Sequence, residues 1–314
     1  LYLIMILAAK EVNVRTIVKL TCIIQGAMLL SIVAMSQIGI IPDYIFDAST
    51  RQRHGLGFLW TTTGAILYFY FMVLYIYLRE ERAHLIEYVI LEAVNFGLYK
   101  LTDARMSFYL STLLLIYVYV MRFYWQNRKD RIRKNRLLIG APVFFCILAV
   151  ACQIFYVPTD ARWQKINSVL SGRLELGCFG WRDYGFSLLG TKIEWIGFSH
   201  NATAGTYNYV DCSYMQILLE NGLIPLVIII AVYTYIMYMA VKEKDFYLQT
   251  AVLLITAFSI TEPRLLNLAY NPLPFFGITY ISLRGRSALF HREGHRLNRR
   301  VRFRTTHVRL KARK

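Results

Sequence analysis

Four short stretches of the chain set arginines and carboxylates beside apolar runs. They are STRQRHGLGFLW at 49–60, with Arg51, Arg53 and His54; YKLTDARMSFYL at 99–110, with Lys100, Asp103 and Arg105; SVLSGRLELG at 168–177, with Arg173; and YNYVDCSYMQILLENGLIP at 207–225. In the last, Asp211 precedes a polar stripe of Ser213, Gln216 and Glu220. An arginine fork grips phosphate oxygens through two parallel hydrogen bonds and stays charged at any accessible pH. Such a set can hold a diphosphate and stabilise the charge it gains as a leaving group, without a metal. A carboxylate such as Asp211 can take the proton of an attacking hydroxyl. Plainer uses exist for each residue: an arginine beside a span contacts lipid headgroups, and Asp211 can cap its helix by accepting from the Ser213 and Tyr214 amides. Spacings such as CxxC or HExxH are absent, so neither a metal nor a cofactor is expected.

The elements that must position these residues are set by composition. Of 314 residues, 56% are hydrophobic, and the mean hydropathy is +0.40, too apolar for an ordinary soluble enzyme of this length. Apolar runs at 16–41, 56–78, 84–101, 106–125, 137–157 and 213–241, with shorter ones at 246–260 and 272–283, predict membrane helices. The runs lack the period of two that a β-barrel needs, so the fold class is all-α: a polytopic transmembrane helical bundle. A charge at mid-bilayer costs roughly 2.5–3.5 kcal/mol, so the polar stripe after Asp211 must face something polar. Tyr88, Glu92, Asn95 and Tyr99, at helical spacing, predict a second polar face directed into the bundle.

The net charge of +17 invites a nucleic-acid reading, but the positions of the basic residues oppose it. Lys10 and Arg15, Arg79 and Arg82, the seven Lys or Arg of 122–136, Lys242 and Lys244, and the twelve of the tail from Arg284 occupy every second connection. By the positive-inside rule these face the cytoplasm. The other connections, 43–55, 102–105, 158–212 and 261–271, then lie on the outer side. The expected organisation is an N-terminal bundle over 1–157, an extracytoplasmic loop over 158–212 rich in Gly and aromatics, C-terminal helices over 213–283 and a basic tail over 284–314. Within the loop, 161–177 has the pattern of an amphipathic piece lying along the membrane surface. The five cysteines make no framework, although Cys178 and Cys212 share the loop. The opening apolar run, 1–9, reads as the tail of an earlier helix, so the chain is expected to be a piece of a longer protein.

In RQRHGLGFLWTT, LYKLTDARMSFYLS, SVLSGRLELG with YGFSLLGTKIEW, and YNYVDCSYMQILLENGLIPL, the sequence resembles the bacterial capsular and O-antigen polysaccharide polymerases, the Wzy-type family. The ordered set runs from Arg51 to Pro225, with the family's basic cytoplasmic loop and single large outer loop between. Where relatives continue from LGF with His-Pro-Asn, this chain has Leu59, Trp60 and Thr61, and Cys212 stands where the family has Asn. The resemblance implies a metal-independent glycosyltransferase of the bacterial cytoplasmic membrane, with its active site facing outward, serving capsule, exopolysaccharide or O-antigen biosynthesis. It would move a growing glycan from undecaprenyl diphosphate onto the next lipid-linked repeat unit. Asp211 and Arg105 would be catalytic, with Arg51, Arg53, His54, Asp103, Arg173, Tyr214 and Gln216 binding the substrates. Undecaprenyl-diphosphate-linked oligosaccharides and membrane lipids are the implied partners, along with a chain-length regulator and a flippase, and nucleic acid is not.

Three other readings stay open on the sequence, one of them a purely structural or scaffold membrane protein. An O-antigen ligase would transfer the same donor to a lipid core, although His200 lies well before the Asp211 helix. A flippase for lipid-linked oligosaccharides would also bury Glu92 and Asn95, but would favour repeated halves and helices broken near mid-membrane.

Overall fold

The computed structural model describes residues 2–48, 51–132, 136–197 and 207–280. They are mostly helical. In chain order come α1 (Tyr2–Ala8), α2 (Val14–Gln37), a hairpin of β1 (Ile45–Ala48) and β2 (Arg51–His54), then α3 (Thr63–Arg79), α4 (Leu85–Thr102), α5 (Arg105–Ile132) and α6 (Ala141–Ile154). Two short helices follow, α7 (Ala161–Val169) and α8 (Arg173–Tyr184), then α9 (Ser213–Glu220), α10 (Leu223–Lys242) and α11 (Phe246–Phe258). The helix starts carry expected chemistry. The Asn13 side chain accepts from the Arg15 amide, Glu87 reaches back to the His84 amide at 3.0 Å, and Asp245 accepts from the Leu248 amide.

Val14–Gln37, Arg136–Ile154 and Leu223–Lys242 are long and apolar enough to cross a membrane, and Phe246–Phe258 is a shorter apolar helix. The centre of the bundle is α3 against α11. From Gly64 to Leu74 only Phe71 of α3 reaches the surface. Phe69 meets Phe258 at a ring separation of 4.3 Å, and Tyr70 contacts both Phe258 and Tyr270. Around this centre the surrounding helices turn large apolar side chains outward: Ile23 and Ile24 on α2, Val89 and Ile90 on α4, Ile116 on α5, Ile147 on α6 and Val227 and Ile228 on α10. A bundle with an apolar core and an apolar rim is an all-α membrane protein.

The structure alters several expected spans. The run at 56–78 becomes helical only at Thr63, because Leu56 and Gly57 both hold positive φ and turn the chain. The piece at 161–177 splits into α7 and α8 at Ser171 and Gly172, again both at positive φ. The run at 213–241 is broken into α9 and α10 at Gly222, whose φ is +95°. Only part of the run at 272–283 is described, and it is helical over 274–280.

Glu92 and Asn95 fasten α4 to α5. Thr112 donates to Glu92 at 2.8 Å, and the Asn95 amide donates to Glu92, to Thr112 and to the Phe108 carbonyl. The basic connections gather at one end of the bundle. Arg15 bonds the Leu78 carbonyl and pairs with Glu80 at 2.9 Å, Arg79 pairs with Glu87, and Arg122 donates to the Ala83 carbonyl. The residues of the four chemistry-bearing stretches meet at the other ends of these helices.

Candidate functional site

The site begins with a two-residue turn. α4 ends on Asp103 in the left-handed conformation (φ 50°), its amide bonded to the Tyr99 carbonyl, and α5 starts at Arg105. This sharp reversal fixes Asp103 and Arg105 side by side, with Arg105 Nε 3.5 Å from the Asp103 carboxylate. The hairpin brings Arg53 onto the same acid, Nη2 to Oδ2 at 3.3 Å. On the opposite wall Arg173, the first residue of α8, donates to the Thr261 carbonyl at 2.8 Å and to Glu262 at 3.0 Å, and its Nε stands 3.8 Å from Asp211. Arg264 follows two residues after Glu262, its guanidinium stacked 4.8 Å from the Tyr270 ring centre.

Between these walls lies a cavity of about 340 Å³, lined by Arg53, Asp103, Arg105, Arg173, Asp211, Glu262 and Arg264, with Trp60, Tyr207 and Tyr209 among its other residues. Four arginines outnumber three carboxylates, so the cavity attracts anions. The first residues of three helices also line it: Thr63 of α3, Arg105 to Ser107 of α5 and Arg173 of α8. The positive ends of these helix dipoles add to the potential. The Nε atoms of Arg53 and Arg264 are buried without a hydrogen-bond acceptor among the described residues, an unmet demand for an acceptor next to the cavity.

Asp211 and Glu262 are perturbed by this environment. Burial pushes Asp211 above the usual range, with Arg173 and Arg264 pulling the other way. Burial raises Glu262 to about 7, Asp211 adding to the rise and the two arginines opposing it. Burial likewise raises the Tyr209 hydroxyl. Asp211 does not cap α9, whose cap position is Cys212, so its carboxylate is left to face the cavity.

Five residues singled out in the sequence, Arg53, Asp103, Arg105, Arg173 and Asp211, thus share one cavity. Three others are placed elsewhere. His54 lies 2.6 Å from Asp43, whose other oxygen accepts the Leu56 amide, so this ring pins the turn before α3 instead of lining the cavity. Tyr214 is fully buried and donates to the Thr256 carbonyl at 2.6 Å, out of reach of a substrate. Gln216 lines a neighbouring cavity. Arg51 pairs with Ala48 in the hairpin, and its side chain lies outside the described residues, as does His200.

Glu262 and Arg264 were not among the sequence candidates. Their signal is a Glu-Pro-Arg triplet in an outer connection between apolar segments. Among the described residues no His, Cys, Asp or Glu cluster could hold a metal ion, and all five cysteines are free thiols. Set against protein families, curated proteins and solved structures, the chain matches none.

Proposed function

We propose that this chain is a polysaccharide polymerase that transfers a growing glycan from undecaprenyl diphosphate to a lipid-linked repeat unit at the outer face of the bacterial cytoplasmic membrane. The observation that carries the reading is the arginine-rich cavity itself, with Arg53, Arg105, Arg173 and Arg264 around Asp211 and Glu262 at one end of an apolar bundle. The opposite end holds Arg15, Arg79 and Arg122, and the positive-inside rule turns that end to the cytoplasm and the cavity outward.

In this reaction an acceptor hydroxyl oxygen attacks the anomeric carbon of the donor sugar. The bond from that carbon to the diphosphate oxygen breaks, and its electron pair leaves with the diphosphate. Arg53, Arg105 and Arg264 receive the growing negative charge in fixed geometry. Asp211 takes the hydroxyl proton: its side chain is 27% exposed against 8% for Glu262, and burial has raised its basicity. Glu262 and the Thr261 carbonyl hold Arg173 in place. Trp60, Tyr207 and Tyr209 offer ring faces suited to sugars.

The break between α9 and α10 is the one observation favouring a transporter, since transporters bind cargo at broken helices. Yet α10 alone has 20 residues, enough to span, so the break falls at the end of a span and not at its middle.

Arg105→Ala in the full-length protein tests the reading. Normal membrane insertion with glycan arrested at single repeats is expected on gels. Long polymer at the wild-type level would make Arg105 a headgroup contact and remove the case for a diphosphate site.

A further inference from the structure

A second cavity, of about 720 Å³, adjoins the first and shares Tyr209, Pro263 and Arg264 with it. Its chemistry differs. Arg264 is its one arginine and Glu220 its one carboxylate, so the lining carries no net formal charge, against an excess of arginine next door. Its polar groups are chiefly amides: Gln216 on α9, Asn221 at the helix break and Asn267 after Arg264. Trp195 donates to Glu220 at 2.9 Å. The rings of Tyr184, Trp195 and Tyr209 form a chain of edge contacts at about 6 Å beside it.

Neutral side chains that both donate and accept match sugar hydroxyls, and they give a diphosphate nothing to counter its charge. The second cavity is also roughly twice the volume of the first, as an oligosaccharide outsizes a diphosphate. We propose that it is the seat of the uncharged glycan, with Tyr209, Pro263 and Arg264 forming the partition where glycan meets diphosphate. This rests on the polymerase reading and extends it. The glycan belongs either to the donor chain or to the incoming repeat unit, and both present the same hydroxyl chemistry.

The test uses the full-length protein in nanodiscs with two probes: repeat-unit oligosaccharide freed from its carrier, and undecaprenyl diphosphate without sugar. Gln216→Leu combined with Glu220→Gln should weaken oligosaccharide binding about tenfold, the loss of one or two hydrogen bonds. Binding of undecaprenyl diphosphate should stay unchanged, which also shows that the variant is folded. Arg53→Ala should reverse the pattern. If the double variant binds oligosaccharide as the wild type does, or loses both probes together, the glycan seat is overturned while the diphosphate site stands. If the wild type binds neither probe, the polymerase reading falls and the seat with it. In a transfer assay a raised KM for single-repeat acceptor assigns the seat to the incoming unit, and a raised KM for polymer-bearing carrier assigns it to the donor.

Discussion

Arg105 and Arg173 both line the cavity, yet their surroundings predict different losses. The Arg105 side chain is 39% exposed and leans on Asp103 at 3.5 Å, so Arg105→Ala should change stability by no more than about 0.5 kcal/mol while, on the proposed polymerase function, stopping polymer growth. Arg173 is 15% exposed and serves Glu262 and the Thr261 carbonyl together. Arg173→Ala strands two buried acceptors and should cost about 1–3 kcal/mol in addition to activity. Thermal unfolding in detergent beside a polymer gel separates the two. Glu262 adds a pH dependence with a definite sign. A carboxyl whose folded pKa lies above its unfolded value favours the fold in its protonated form. That contribution is complete below about 4.5 and is lost as pH rises through about 7. Glu262→Gln stays neutral throughout, so its unfolding temperature should fall less than the wild type's between pH 5 and pH 8; parallel curves would contradict the raised pKa. At this scale the sequence marked Arg53, Arg105, Arg173 and Asp211 by a charge beside an apolar run, and these residues line one cavity. It misled at Tyr214 and His54, because residue type alone does not tell whether a polar side chain is already satisfied by a carbonyl or by Asp43.

The α9–α10 break is where element-level reading failed, although its signal was present. Asn221–Gly222 is a turn dipeptide, but the apolar run on either side outweighed it. Tertiary contacts complete the break. The Leu223 and Ile224 amides at the start of α10 donate to the Ser187 and Leu188 carbonyls, and Thr191 bonds back to Leu219 at the end of α9. Only glycine fits at the crossing: a Cβ on Gly190 would meet the Glu220 carbonyl oxygen at 2.1 Å, and one on Gly222 would meet the Gly190 nitrogen at 2.4 Å. Gly222 also holds φ +95°. Gly190→Ala and Gly222→Ala should each cost about 1–3 kcal/mol by strain and displace α9, which carries Gln216 and Glu220. Their mark is a lowered unfolding temperature accompanied by weaker glycan binding. A Gly172→Ala control, at positive φ but with open space around its Cβ, should show strain alone and leave glycan binding intact.

For the molecule as a whole, the feature that decides the architecture is an apolar exterior around a packed apolar core. Composition made that legible, since runs of this length without charge have no stable place in water. Which helix sits at the centre was not legible, because α3 and the peripheral helices are apolar on most faces and hydropathy does not distinguish burial in protein from burial in lipid. The structure separates them: α3 is enclosed by α2, α4, α5 and α11, whereas Ile23 and Ile24, near the middle of α2, are each 55% exposed. In water such a position would accept arginine at almost no cost. Facing hydrocarbon at mid-helix, Ile24→Arg should disfavour insertion by about 2.5–3.5 kcal/mol, whereas Ile24→Leu should leave it unchanged. An insertion assay that scores the membrane-integrated fraction of α2 reads this difference. Equal integration of the two variants would mean that this face of α2 packs against protein, and that the lipid boundary of the bundle lies elsewhere.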